Sequence, residues 1–343
     1  MSSAEIICLC YISRSGSTFL SQLISARLPQ VRVLPENRQL EILGAYGLLG
    51  ESRMSEGGFQ NLERALQSDP QFDALGIKQQ QLDGMRWNLC NSKKIGMGPQ
   101  AVAEASSGAD LDQGFKYFLF KHNVNANIFS DLHEAQPGAR LIHIYRDPRA
   151  AYASMLDAIN PYSPFDRFSE GGGWAVGREW SEYNAKIDAL ERAHGSQAVF
   201  QIRYEDLVVD TQACLVRLAD WLGCILGPDS RASTRSVFGD KDRDLHQRVG
   251  RAPDPSRIHA WRETLSKADV AACELGAGVM LAHRGYEAIT PPPVGLCRLT
   301  SNVAHRLQAA SDWLGLKTRR FIRLLGAPDR LVTKIRVLID RYR

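Results

Sequence analysis

The sequence predicts an α/β fold: a central, mainly parallel sheet flanked by helices, with a helical C-terminal extension. Three observations predict it. Short apolar runs alternate with longer segments of helical period along most of the chain, as in parallel-sheet proteins. The first run passes through a turn of small residues directly into a helical stretch. The chain has 343 residues, 44% hydrophobic and 23% charged, enough for one large core or two small ones.

Strand patterns fall at 5–12 (EIICLCYI), 30–34 (QVRVL), 76–81 (GIKQQQ), 116–122 (KYFLFKH), 140–146 (RLIHIYR) and 198–205 (AVFQIRYE). The first, fourth, fifth and sixth are apolar enough to lie centrally. Helical patterns separate them at 18–28, 37–48, 58–68, 125–135, 148–158, 174–194 and 211–222. Residues 83–114, rich in Gly, Asn, Ser and Gln, read as a loop-rich insertion. Residues 160–173, with two Pro and three consecutive Gly, read as a mobile surface loop or lid. PPP at 291–293 marks a linker, dividing a domain of residues 1–290 from an extension of residues 291–343.

Charge sharpens that division. The net charge is +4, but residues 298–343 carry eleven Lys/Arg against three Asp/Glu, leaving the rest of the chain at −4. A near-neutral body does not predict nucleic-acid binding. The extension reads as basic amphipathic helices, either packed on the body or facing a membrane surface or an acidic partner. Seven cysteines with no C-x-x-C spacing predict a reducing compartment and no disulfide framework. The chain enters its first strand by about residue 5, with no secretory signal ahead of it, and lacks the run of roughly 18 apolar residues that spans a membrane. A cytoplasmic location is expected.

Open parallel sheets bind ligands beyond the carboxyl ends of their strands. That singles out Ser13–Thr18, Pro35–Glu36, Lys121–His122, Arg146–Asp147 and Tyr204–Asp206. The first is SRSGSTFL, a strand–turn–helix junction that points backbone N–H groups at an anion from the positive end of a helix. A standard phosphate loop reads G-x-x-x-x-G-K-[ST]; this P-loop-like version has one Gly and an Arg. Arg14 brings a planar, permanently charged fork suited to a tetrahedral oxyanion. The second segment is HIYRDPRAAYASML, 143–156. Arg146 ends a strand, Pro148 suits a first helical position, and Ser154 lies about two turns further on. Arg146 and Ser154 could grip one phosphate; taken alone, the same residues could be a capping salt bridge and a solvated serine.

Together, the two segments make the chain resemble the sulfotransferases that use 3′-phosphoadenosine 5′-phosphosulfate (PAPS), over roughly residues 4–290. RSGST is similar to their 5′-phosphosulfate loop and YRDPRAAYAS to their 3′-phosphate motif. IRYEDLVVD resembles the segment whose Tyr lies beside the nucleotide, and HRGYE (283–287) the end of the domain. The Arg form of the loop is closer to carbohydrate and tyrosylprotein sulfotransferases than to cytosolic small-molecule enzymes. The resemblance implies transfer of a sulfuryl group from PAPS to a hydroxyl, of a carbohydrate or glycolipid, by in-line displacement without a metal, releasing 3′-phosphoadenosine 5′-phosphate (PAP).

The resemblance also implies roles. Arg14, Ser15, Gly16, Ser17, Thr18 and Phe19 would hold the 5′ end of the nucleotide, Arg146 and Ser154 its 3′-phosphate, with Tyr204 alongside. In RVGRAPDPSRIHAWRETLS (248–266), Arg257, Arg248 and Arg251 are all candidates for a further phosphate ligand, and Trp261-Arg262 loosely fits a Trp-basic pair. Arg14 would also neutralise developing charge. Glu36, 22 residues after Arg14, is the expected base, needing partial desolvation to raise its pKa. His122 is its rival, although the family's His stands two residues after the Lys, and adjacency in a strand reverses the side chain's face. Lys121 or His122 then lies close to the sulfuryl group or acceptor. Trp174 and Trp180 fall on a helical pattern as core residues. Two other readings stay open: a P-loop small-molecule kinase, disfavoured by the missing Lys-[ST], and a non-catalytic nucleotide-binding relative.

Overall fold

The run Glu5–Tyr11 is apolar on both faces, which suits a strand covered from both sides. It forms β1, the middle of a five-stranded sheet. A computed structural model of the chain describes residues 4–91, 96–107, 114–156, 158, 169, 171–228 and 255–291. The other strands are β2 (Val31–Val33), β3 (Glu51–Ser52), β4 (Gly96–Met97), β5 (Tyr117–Lys121), β6 (Arg140–Tyr145) and β7 (Val199–Arg203). The main sheet has the order β2-β5-β1-β6-β7 with every pairing parallel. β3 and β4 form a separate two-stranded antiparallel pair.

The helices are α1 (Ser17–Arg27), α2 (Gln39–Ala45), α3 (Glu56–Gln67), α4 (Gln79–Arg86), α5 (Gly98–Ser107), α6 (Asn125–Ala135), α7 (Pro148–Leu156), α8 (Gly172–His194), α9 (Tyr204–Val209), α10 (Thr211–Leu222), α11 (Trp261–Thr264), α12 (Lys267–Ala277) and α13 (Val279–His283). One face of the sheet, with Ile7, Leu9, Leu119, Ile142 and Ile144, packs on α1 and α10. The other, with Cys8, Cys10, Phe118, Phe120 and Leu141, packs on α2 to α6. Period-2 alternation thus sends β1 side chains into two separate cores. Beyond β6, a third cluster joins α7 and α8 to α11–α13.

Two expectations are corrected. GIKQQQ (76–81) is not a strand. Gly76 ends a short 3-10 turn, Phe72–Leu75, and Gln79–Gln81 already belong to α4. The buried positions are Leu82, Met85 and Leu89, a helical spacing that outweighs the single apolar Ile77. The described residues of 83–114 are not loop-rich: they hold the end of α4, a π-helical turn at Trp87–Asn91, β4 and α5. Pro99 suits the first turn of α5, and Ala101, Val102, Ala103 and Ala105 are buried.

Most of 160–173 lies outside the described residues, but its Gly173 has a packing role. α8 and α12 meet closely along Gly173, Gly177 and Gly276. A Cβ on Gly177 would stand 2.1 Å from the Cys273 carbonyl oxygen, and one on Gly276 2.2 Å from that of Trp174. Neither obstacle is a flexible side-chain end, so the helices must part. Gly177→Ala is expected to destabilise the fold by about 1–3 kcal/mol, the usual cost of overpacking, measured as a lower urea midpoint. Trp174 and Trp180 are both buried, as expected. The linker from residue 292 and the basic extension lie outside the described residues.

Candidate functional site

β1 hands the chain to α1 through a turn closed by the Ser15 N–H donating to the Ile12 carbonyl (3.1 Å). Gly16 has φ 92°, and Arg14, at φ 68°, is the one non-glycine residue with positive φ among the described residues. Such a conformation costs a non-glycine residue roughly 1–2 kcal/mol, so tertiary contacts must hold it. They do: Arg14 Nε donates to Ser154 Oγ (3.1 Å), and an Arg146 terminal nitrogen donates to the Arg14 carbonyl (3.3 Å). The first-turn N–H groups of α1, which have no partner within the helix, therefore face the crevice beside two guanidinium groups. Ser17 and Thr18 are buried at the helix start, and Phe19 is half-buried against the core below.

Gly16 answers a second demand. A Cβ there would lie 2.3 Å from Tyr204 Cδ2. Tyr204 opens α9 after β7, and the Arg146 guanidinium carbon sits 4.5 Å from its ring centroid. The structure thus gathers Arg14, Gly16, Arg146, Ser154 and Tyr204 at one end of three strands. Ser15 Oγ and Arg146 Nε are buried there without a hydrogen-bond partner among the described residues. Buried donors in that condition call for an acceptor.

The rest of the RDPR segment faces inward. Arg149 meets Asp147 (2.8 Å), Glu274 (2.5 Å) and the Glu287 carbonyl (2.9 Å), and its guanidinium lies 4.2 Å from the Trp261 ring centroid. Glu205 accepts from the Asp147 N–H (3.0 Å) and from the Tyr286 hydroxyl (2.9 Å). Asp147 and Arg149 therefore anchor the loop to α12 and to HRGYE, while Arg146 faces the crevice. Trp261 is buried between Arg149 and Arg262. The backbone of Arg257 lies in a 3-10 turn, Pro255–His259; its side chain, and all of Arg248 and Arg251, lie outside the described residues.

Glu36 reaches the same crevice from the loop after β2. The Leu34 N–H donates to Leu119 (3.0 Å) and the Asn37 N–H to Lys121 (3.3 Å), tying the loop to the end of β5. Buried Asn37 stiffens it: Nδ2 donates to the Pro35 carbonyl (2.6 Å), and Oδ1 accepts from the Gln39 N–H (3.1 Å). The Glu36 carboxylate then sits 2.9 Å from Lys121 Nζ. Lys121, only 2% exposed, also donates to Thr18 Oγ1 (2.9 Å), which links this pair to the loop after β1. Burial pushes the Glu36 pKa up, but the Lys121 ammonium and the neighbouring His122 more than offset it, so the net shift is downward. The desolvation expected of a base is present; the net rise in pKa is not.

His122 Nδ1 accepts the Val124 N–H (3.2 Å), which leaves the proton of the neutral ring on Nε2. Burial lowers its pKa, and Arg38 lowers it further, against the opposing pull of Glu36, Asp69 and Glu41. The neutral ring is therefore a donor at its outer nitrogen.

A model of the sulfotransferase family matches residues 9–227, well over half of the chain. The chain belongs to the sulfotransferase family. Among solved structures, the sulfotransferase domain of the Synechococcus PCC 7002 olefin synthase matches with a TM-score of 0.54 at 20% identity, covering 85% of this chain and 98% of that domain. The sulfotransferase domain from the curacin biosynthetic pathway matches with a TM-score of 0.51 at 17% identity, covering 83% and 99%. At these identities the likeness establishes the shared P-loop-like α/β fold. No curated protein matches by sequence.

Other features of this sulfotransferase complete the picture. No helix among the described residues is long and apolar enough to cross a membrane. Six described cysteines are free thiols, three of them with pKa values pushed up by deep burial. No group of three or more His, Cys, Asp or Glu side chains among the described residues could hold a metal ion. One participant went unnoticed in the sequence. Tyr11 ends β1 with its ring 5.6 Å from Lys121 Nζ, and its hydroxyl is buried without a hydrogen-bond partner among the described residues. An aromatic residue at the end of an apolar strand reads as core; its place just before the loop after β1 was the available signal.

Proposed function

We propose that this sulfotransferase moves a sulfuryl group from PAPS to an acceptor hydroxyl, with Glu36 as general base. The observation that carries the reading is the convergence of two guanidinium groups, Arg14 and Arg146, beside buried donors (Ser15 Oγ and Arg146 Nε) lacking acceptors among the described residues, and a 2.9 Å carboxylate–ammonium pair. A nucleotide with anions at both ends of its ribose fits that donor set. Arg14, Ser15, Gly16, Ser17 and Thr18 would hold its 5′ end, and Arg146 and Ser154 its 3′-phosphate. Tyr204 would flank it, and Phe19 would support the first turn of α1. When bound, the nucleotide supplies an activated sulfuryl group.

The chain's own residues account for the remaining chemistry. Transfer of this kind is mostly positioning and stabilisation of developing charge. Arg14 and Lys121 supply positive charge. A Lys ammonium has three N–H donors; Thr18 and Glu36 take two, leaving a third for a sulfuryl oxygen. The acceptor hydroxyl gives its proton to Glu36. His122, holding its proton on Nε2, is suited to donate a hydrogen bond, which favours Glu36 over His122 as base.

The acceptor is read as a carbohydrate or glycolipid, on the Arg form of the loop after β1. Residues 1–290 form the catalytic domain in this reading. The enzyme is cytoplasmic in the same reading, and the charge of the basic stretch 298–343, outside the described residues, is taken as suited to a membrane surface or acidic partner. Labelled PAPS incubated with the protein and a panel of glycans, glycolipids and the acceptors of the two neighbouring domains tests it. Glu36-dependent transfer of label to one class of hydroxyl is expected. Label left in PAPS with every acceptor, together with phosphoryl transfer from ATP, would overturn it.

A further inference from the structure

Tyr11 is unexplained by the roles given so far. A tyrosine buried to 6% exposure usually finds a partner for its hydroxyl. Here Oη has none among the described residues. Its neighbourhood is not inert. Tyr11 shares a sheet face with Lys121, since Leu9 pairs with Lys121 in register and Tyr11 lies two residues further along the same strand. The charged and titratable groups that act on it are Glu36 from the loop after β2, Lys121 from β5, Tyr183 from α8 and its own neighbour Cys10; the Glu36 carboxylate is near enough to act on the phenol as a hydrogen-bond acceptor, although the pair falls outside strict hydrogen-bond geometry. Glu36 is in turn acted on by Lys121, His122 and Tyr11.

We propose that Tyr11 is a positioning residue for the base: its hydroxyl donates to the Glu36 carboxylate in the working site and fixes which oxygen faces the acceptor. The inference rests on the reading of Glu36 as base. The need for such a group follows from the geometry. Lys121 serves Glu36 and Thr18 at once, and in transfer it must also serve the sulfuryl oxygens. A carboxylate held by that ammonium alone would shift whenever Lys121 turned. A phenol fixed in β1, with no other claim on its proton among the described residues, supplies a second restraint from a rigid strand. Burial pushes the Tyr11 phenol well up, so it keeps its proton and acts as a donor throughout.

Tyr11→Phe removes one oxygen and leaves the ring packing in place. Losing an unpaired buried hydroxyl also removes a desolvation penalty, so the variant should unfold no earlier than the parent. The readouts are PAP release from PAPS with water or an identified hydroxyl as acceptor, its pH profile, and PAP affinity. The expected result is a roughly tenfold fall in kcat, in line with losing one hydrogen bond to a charged group. PAP affinity should stay within about twofold. The hydrogen bond favours the ionised carboxylate, so its loss raises the Glu36 pKa and moves the acid limb of the profile to higher pH. In a Glu36→Gln background, Tyr11→Phe should have no further effect.

An unchanged kcat and acid limb in Tyr11→Phe would overturn the inference. So would a fall in kcat that adds fully to that of Glu36→Gln, or one accompanied by equal loss of PAP affinity and no movement of the acid limb, as a packing role would give. If Glu36→Gln itself kept full turnover, the reading of the base would fail first, and this inference with it.

Discussion

Replacing Glu36 by glutamine is expected to lower sulfuryl transfer by about 10²- to 10⁴-fold, the usual contribution of a general base. The substitution keeps shape and leaves an amide oxygen that can still accept from Lys121, now 2.9 Å from the carboxylate. It removes a negative charge from a crevice proposed to hold an anion, so PAP should bind at least as tightly as before. Turnover and binding therefore separate. A parallel loss of both would make Glu36 a counter-ion that holds Lys121 in place. Full turnover would remove it from the chemistry and return His122 to consideration, although His122 Nδ1 is already committed to the Val124 N–H.

Replacing Arg146 by alanine is expected to weaken PAP binding by about 10- to 150-fold. That range corresponds to one or two hydrogen bonds to a charged group, about 1.5–3 kcal/mol. Arg146 has three roles in the structure: it donates to the Arg14 carbonyl, covers the Tyr204 ring, and carries a buried Nε without a partner among the described residues. A comparison of ligands separates the last from the others. Adenosine 5′-phosphosulfate lacks the 3′-phosphate, and its affinity should change little. Equal losses for both nucleotides would mean that Arg146 holds the loop in shape and does not contact the 3′-phosphate. Isothermal titration of both ligands on parent and variant decides between them.

Much of this arrangement was legible in the residues because local pattern and tertiary placement agree there. EIICLCYI runs into SRSGSTFL, and in the structure β1 runs into the loop and α1. RLIHIYRDPRAAYAS carries its strand, proline and helix in the expected order. The misreadings arose where one residue dominated a short window. Ile77 suggested a strand, whereas Leu82, Met85 and Leu89 show helical spacing a few positions on. The Gly, Asn, Ser and Gln of 83–114 suggested a loop, yet Ala101, Ala103 and Ala105 are strong helix formers and a neighbouring core covers them. The glycines at 171–173 suggested only a mobile surface loop, yet Gly173 lets α8 approach α12.

The site follows the same division. Arg14, Arg146 and Ser154 carry recognisable spacing within their own segments. Glu36 and Lys121 are 85 residues apart, and only the pairing of β2 with β5 brings them together. Spacing alone also hid the split within RDPR, where Arg146 faces the crevice and Asp147 and Arg149 are buried against Glu205 and Glu274. Tyr11 escaped notice because nothing in a strand's composition says whether its terminal aromatic finds a partner.

In the proposed function this crevice holds a nucleotide carrying a 3′-phosphate and a 5′-phosphosulfate. Thermal unfolding of the whole chain with PAP, against the same concentration of ATP with Mg²⁺, tests it most directly. Ligand at about one hundred times its dissociation constant adds about 2.7 kcal/mol to stability. A rise of several degrees with PAP, absent with ATP–Mg²⁺, is the predicted result. No rise with PAP, or a rise with ATP–Mg²⁺ alone, would contradict it.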